Sequence, residues 1–244
     1  MKQTGGKTNQ METKNKPWAR QKILKKQDIP SQETIYNMAL EFKNHSHRTL
    51  FIIAYLTAGR ISEIVRQPNL KKNKYKMEEA KDKYGRVVWR VVRNEQGSPI
   101  IDSVERYTHG YIGICRKNIT FEKKRGHNFI VISMQNRKNK NFTNKKIPIP
   151  VDQEGHLVEL IKEHLGTLEM DQPIFNFGIS WAERIIAKVG MNPHFLRDIR
   201  LTHLVTMYDF DGFRLAKYAG WKNSVPAERY VRLGYHDLLD KFNQ

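Results

Sequence analysis

The longest apolar run of the chain, near Thr49 to Ala58, restricts its folding more than any other feature. Leu50 to Leu56 reads as a helix that breaks at Gly59 and restarts at once as Arg60-Ile61-Ser62-Glu63. A bilayer needs ~20 consecutive apolar residues, so this run is far too short to cross one. The opening MKQTGGKTNQMETKNK lacks the apolar centre of a signal peptide. With 244 residues the chain suits one large or two small domains around a real core. The single cysteine, Cys115, excludes an intrachain disulfide framework and any cysteine-based zinc site, and reads as a buried small apolar residue. A soluble intracellular protein, with no membrane partner, is the expectation.

Charge narrows the partner. Forty-three Lys and Arg stand against 25 Asp and Glu, a formal net charge of +18. Such an excess speaks to association rather than fold, and nucleic acid is the leading polyanionic partner. The first 27 residues hold eight Lys or Arg and one acid, Glu12, so most of the excess lies in the remaining body. Nine scattered histidines form no His-Glu-x-x-His pattern, and neither a metal nor another cofactor is expected.

Residues 1–16 have almost nothing to bury and read as a disordered basic arm or a solubilising tail. PWARQKILKKQ, from Pro17 to Gln27, reads as a short basic helix anchored by Trp18, Ile23 and Leu24. A helix starts at Pro30-Ser31, and a second runs from about His47 to Thr57. Arg60 falls in the first turn of a short third helix. Lys71 to roughly Arg116 reads as a small β extension, with a strand over Arg86 to Val92 and a turn over Asn94 to Ser98. Strands follow at Ile119 to Glu122, Phe129 to Met134 and Lys145 to Ile149. The polar turn from Gln135 to Lys146 holds Arg137, Lys138, Lys140, Lys145 and Lys146 without an acid, and reads as a solvated hairpin tip or a basic finger for a DNA groove. Helices are expected at Gly155 to Leu165 and about Ser180 to Val189.

The segment PHFLRDIRLTHLVTMYDFDGFRLAKYAGWKNSVPAERY carries His194 and Arg197 three residues apart, which puts both on one helical face. Trp221 follows, and Tyr230 comes nine residues after it. Together with the upstream Arg60 and Glu63, this pattern resembles the tyrosine recombinases, or phage integrase family, of archaeal or viral type. The resemblance runs from about residue 47 to 232 and is interrupted by an insertion at 71–116. Residues 1–46 would be a basic arm with a first helix, and 233–244 a C-terminal tail. The fold it implies is α+β, mainly α-helical, with a small antiparallel sheet or hairpin.

The resemblance also assigns roles. Arg60 and Arg197 would grip the non-bridging phosphate oxygens with forked donors that stay charged at physiological pH. His194 would assist in hydrogen bonding and proton transfer, and Trp221 would offer its indole N–H. Tyr230 would attack phosphorus, join the 3′ phosphate covalently and leave a 5′ hydroxyl. Counting back from Pro148 puts the hairpin lysine that protonates the 5′ oxygen at Lys140, with Lys138 as the alternative. Glu63, Arg137, Arg200 and His203 would be supporting or DNA-facing. The family usually places histidine after the second arginine; here Asp198 stands, free to pair with Arg200 or orient Arg197. Tyr235 is a rival nucleophile outside the nine-residue spacing. The expected activity is site-specific recombination or integration of double-stranded DNA, performed by a homo-oligomer that is a tetramer in synapsis and belongs to a mobile element or virus. A tyrosine-type topoisomerase and a non-catalytic DNA-binding regulator are the competing readings.

Overall fold

The computed structural model describes residues 29–68, 71–106, 110–137 and 143–231. Among the described residues the elements run in the order α1 (Gln32–Leu40), α2 (His45–Thr57), α3 (Ile61–Ile64), β1 (Lys71–Tyr75), β2 (Met77–Lys81), β3 (Val87–Val91), β4 (Ile101–Arg106), β5 (Ile119–Lys124), β6 (His127–Asn136), β7 (Thr143–Pro150), α4 (Val151–Leu165), α5 (Ile179–Ala187), α6 (Pro193–Thr206) and α7 (Gly212–Ala219). The expected class holds: helices carry most of the regular structure, and the sheets are small and antiparallel. Among the described residues there are three, and the insertion, expected to be a small β extension, contributes two of them. Among the described residues no helix is long and apolar enough to cross a membrane.

Helix α2 is the hub. Asn44 caps it by accepting from the His47 amide, and every residue from Thr49 to Thr57 is buried. A helix that is apolar all round has no solvent face to spare, so other elements must enclose it. Helices α1, α4, α5 and α6 supply that enclosure. Its end is abrupt: Ala58 adopts the left-handed conformation (φ 44°), and Gly59 follows. A Cβ on Gly59 would stand 2.8 Å from Thr57 Oγ1 and 2.9 Å from Met134 Cε, so only glycine fits there. Arg60 is the N-cap of α3 rather than part of its first turn.

The sheet β5-β6-β7 turns its apolar face inward through Ile119, Ile130, Ile132, Met134, Ile147 and Ile149. The period of two continues past the apolar residues, so Lys145 shares the inward side with Ile147 and Ile149. The insertion leaves and rejoins the body at one point, where Gln67 and Tyr111 exchange backbone hydrogen bonds of 2.8 and 2.9 Å. Beyond it, β1 pairs with β4 and β2 with β3, and Tyr84 and Trp89 are exposed on the second ribbon. The expected turn is present, with Asn94 Oδ1 accepting from the amides of Gln96 and Ser98.

Of the two readings of Arg200 and His203, supporting or DNA-facing, burial removes the second. Both lie on the same side of α6 as Leu196 and Ile199, and both are buried. Arg200 pairs with the buried Glu154, where the first turn of α4 departs from helical geometry. Tyr208 and Gln32 donate to the same carboxylate oxygen at 2.6 and 3.2 Å. Tyr55 Oη and His203 Nδ1 stand 2.7 Å apart. Burial, followed by the Arg200 charge, pushes the His203 imidazole down to about 4.

A buried ion pair loses most when one member goes, because the other charge is stranded. Glu154→Gln is therefore expected to lower unfolding free energy by about 3–5 kcal/mol in urea, whereas Glu163→Gln, at the exposed Arg48 and His45 pairs, should cost under about 1 kcal/mol. His203 gives a pH signature of definite sign. Its folded pKa lies below the unfolded value, so its contribution is complete above pH ~6.5 and is lost as pH falls toward 4. Across that window the wild type should lose about 3 kcal/mol more than His203→Gln, measured by denaturation at each pH.

Candidate active site

Three of the residues singled out in the sequence line one pocket of about 150 Å³: Arg60, His194 and Arg197, with Gly59, Ile61, Ser62, Ile179, Glu183 and Pro193 completing its wall. Arg60 arrives from the break after α2. His194 and Arg197 come from α6, whose start is set by Asn192 accepting from the Phe195 amide and by Pro193 at the first helical position. His194 is exposed at the rim. The N-terminal end of α6 therefore opens on this pocket with its positive dipole.

Arg197 is 7 % exposed and hydrogen-bonded to two backbone carbonyls, Ala58 O at the end of α2 and Ala219 O at the end of α7. Burial and then the Arg60 charge push its pKa down, while Glu63, Tyr230 and Asp198 oppose them. A guanidinium held this way keeps its place with its charge only partly compensated. Arg60 is fixed differently: its Nη1 donates to Glu63 Oε1 at 2.8 Å, and its amide to Glu63 Oε2 at 3.2 Å.

Glu63 has a second cation. Lys145 Nζ lies 2.9 Å from Glu63 Oε2, and both side chains are nearly or fully buried. Burial pushes the Glu63 carboxyl up, but Lys145, Arg60 and Arg197 outweigh it and hold the group below the usual range. Burial pushes Lys145 down, against the pull of Glu63. Lys138 and Lys140 lie outside the described residues. Among the described residues Lys145 is the hairpin lysine brought to the site, and the sequence signal for it was its phase with Ile147 and Ile149. Asn136, in phase with Met134 on β6, also reaches inward and donates to Gly220 O at 2.9 Å. Arg137 donates to Gln67 and Gln135 at 3.1 and 2.6 Å and lies over the Tyr111 ring, beside the root of the insertion.

Trp221 and Tyr230 meet as well. The Arg197 guanidinium lies 5.6 Å from the Trp221 ring, and Trp221 stacks on Tyr230 at 6.0 Å between centroids and 18° between planes. Tyr230 is 2 % exposed, and its hydroxyl donates to Asp198 Oδ1 at 2.5 Å. Arg229 donates to both Asp198 and the Tyr230 hydroxyl. Neither partner expected for Asp198 is the one observed: it pairs with Arg229 and Tyr230 instead of Arg200 or Arg197. Burial, then the Asp198 charge, pushes the Tyr230 phenol well above its ordinary pKa.

No protein-family model matches the chain, and no curated protein matches it. Among solved structures it is similar to XerH site-specific recombinase bound to difH substrate in a pre-cleavage complex, at 15 % identity and a TM-score of 0.48, covering 89 % of this chain and 52 % of that one. It is similar also to the post-cleavage complex of XerH with palindromic difH substrate, at 14 % identity and 0.48, covering 90 % and 52 %. The chain thus spans about half the length of the solved chains it matches.

Stranding Lys145 should be costly. Glu63→Gln is expected to destabilise the fold by about 3 kcal/mol, and adding Lys145→Met should restore part of that loss, a coupling of about 1–3 kcal/mol in a double-mutant denaturation cycle. Strictly additive losses would mean that the two side chains do not depend on each other.

Proposed function

We propose that this chain cleaves and rejoins double-stranded DNA through a covalent 3′-phosphotyrosyl intermediate, as a site-specific recombinase or integrase. The observation that carries this reading is the assembly of Arg60, His194 and Arg197 around one pocket, with Tyr230 coupled to it through Trp221 and through Asp198, the residue next to Arg197. Two guanidiniums at one concave site suit the two non-bridging oxygens of a phosphodiester, whose charge grows as the phosphorus becomes five-coordinate. Both are positioned from behind, Arg197 by carbonyls and Arg60 by the Glu63–Lys145 pair, so little reorganisation is needed when the phosphate arrives. His194 adds a donor at the rim and Trp221 an indole N–H.

In the reaction, the Tyr230 oxygen forms a bond to phosphorus as the bond to the 5′ oxygen breaks. The leaving oxygen takes a proton from a hairpin lysine, Lys140 by the family resemblance, and departs as a 5′ hydroxyl. The phosphotyrosine ester conserves the energy of the broken bond, so a 5′ hydroxyl from another strand can reverse the step and complete exchange. Neither a metal nor a nucleotide is needed. The catalytic unit would span 47–232, with 71–116 inserted, and would act inside the cell as a homo-oligomer on DNA, a tetramer in synapsis.

The test is a pool of random-sequence duplexes, each nicked so that the short fragment released by cleavage diffuses away and leaves the protein joined to DNA. Wild type should accumulate a denaturation-resistant adduct and Tyr230→Phe none. Arg60→Ala and Arg197→Ala should each slow it by about 10²–10³-fold, the usual loss for one oxyanion donor. An adduct formed at an unchanged rate by Tyr230→Phe would contradict the proposal. Binding of the pool by wild type without any adduct would favour a regulator.

A further inference from the structure

Tyr230 is held by three neighbours, Trp221, Arg229 and Asp198. Its ring stacks on Trp221, and the Arg229 guanidinium lies 4.5 Å from its centroid. Its hydroxyl proton points to one acceptor, Asp198 Oδ1, at 2.5 Å. His194, the histidine expected to move protons, is exposed at the pocket rim on the same helix. Among the described residues the charged groups around the phenol are Asp198 and Arg197 on α6, and Arg229 on the helical turn at 228–231 that carries Tyr230.

We propose that Asp198 is a catalytic residue of the cleavage step read above, the base that receives the Tyr230 proton as the phenolic oxygen attacks phosphorus. The inference rests on that reading and gives Asp198 a role that sequence spacing did not assign. As the Tyr230 O–H bond breaks, its proton passes along the existing hydrogen bond to Asp198 Oδ1. The freed electron pair on Oη forms the bond to phosphorus, the P–O5′ bond breaks, and the 5′ oxygen gains a proton from the hairpin lysine. One proton enters Asp198 and one leaves the lysine, so the site ends the step with unchanged total charge.

Charge explains why the transfer must be direct. A phenolate formed by losing its proton to water would stand 2.5 Å from a carboxylate, an arrangement that repulsion disfavours. Passing the proton to that same carboxylate turns Asp198 neutral at the moment the phenolic oxygen becomes anionic. The pair therefore carries one negative charge before and after, and Arg229 bonds both oxygens in either state. A general base at this distance meets the geometric requirement for proton abstraction.

The competing role for the same contact is restraint: Asp198 would merely hold Tyr230 back, and its removal would release the nucleophile. The two predict opposite signs. Single-turnover adduct formation on the nicked random pool would be followed from pH 6 to 10 for the full-length wild type, Asp198→Asn and Asp198→Glu. Asparagine keeps size and polarity but cannot take the proton, so its rate should fall at least ~100-fold at pH 7. That deficit should shrink as pH rises and hydroxide replaces the missing base. Glutamate retains the carboxylate, so its profile should follow the wild-type shape, with a lower plateau. Should Asp198→Asn prove unfolded by circular dichroism, the glutamate profile decides: a rate climbing steadily with pH overturns the role. A faster Asp198→Asn enzyme, or one slowed by the same factor at every pH, would also overturn it. Absence of any adduct from wild type would instead sink the phosphotyrosyl chemistry itself.

Discussion

The site depends on a guanidinium whose nearest hydrogen-bond partners are carbonyls. Arg197 is buried in α6, yet it spends its donors on Ala58 O and Ala219 O, tying the left-handed end of α2 to the end of α7. Those carbonyls sit at helix C-termini, where unsatisfied acceptors and the helix dipole favour a cation. The contact satisfies two helix ends and fixes the arginine without neutralising it. An ion pair there would have held the side chain equally well and cancelled the charge that the proposed phosphate ligand needs.

The rest of the architecture follows from that junction. Helix α2 has to stop abruptly so that Ala58 can turn its carbonyl toward Arg197, and Gly59 permits the stop because Thr57 and Met134 leave no room for a Cβ. The next residue is Arg60, so the same break presents the second arginine. Behind it, Glu63 is shared between Arg60 and Lys145, which joins the three-stranded sheet to the helical layer at the site. The C-terminal end of α7 supplies the other carbonyl, then Gly220, whose own carbonyl accepts from Asn136. Two inward polar residues of the sheet, Asn136 and Lys145, thus brace the two sides of the Arg197 junction.

Much of this was legible in the sequence. The apolar run before Gly59 announced a buried helix with an arginine at its end, and the i, i+3 spacing of His194 and Arg197 placed them on one face. Strand period was the signal left unread: Lys145 looked like one more cation of a basic turn, but it keeps step with Ile147 and Ile149 and must point inward. Helix period was likewise overlooked for Arg200, which follows Leu196 by four residues and therefore lies in the core with Glu154. The partners of Asp198 could not be read, because Arg229 and Tyr230 approach it from more than thirty residues away and no local spacing encodes that approach. The insertion gave up its strand and turn, since both rest on local chemistry, but the ribbon of β1 and β4 depends on strands that pair across some thirty residues.

The most direct measurement is to digest the covalent protein–DNA adduct and locate the modified residue by mass spectrometry. Tyr230 should carry the phosphate of a 3′ DNA end, with the released strand ending in a free 5′ hydroxyl. A phosphate on any other residue, or attachment to a 5′ end, would contradict the chemistry assigned to Arg60, Arg197 and Tyr230.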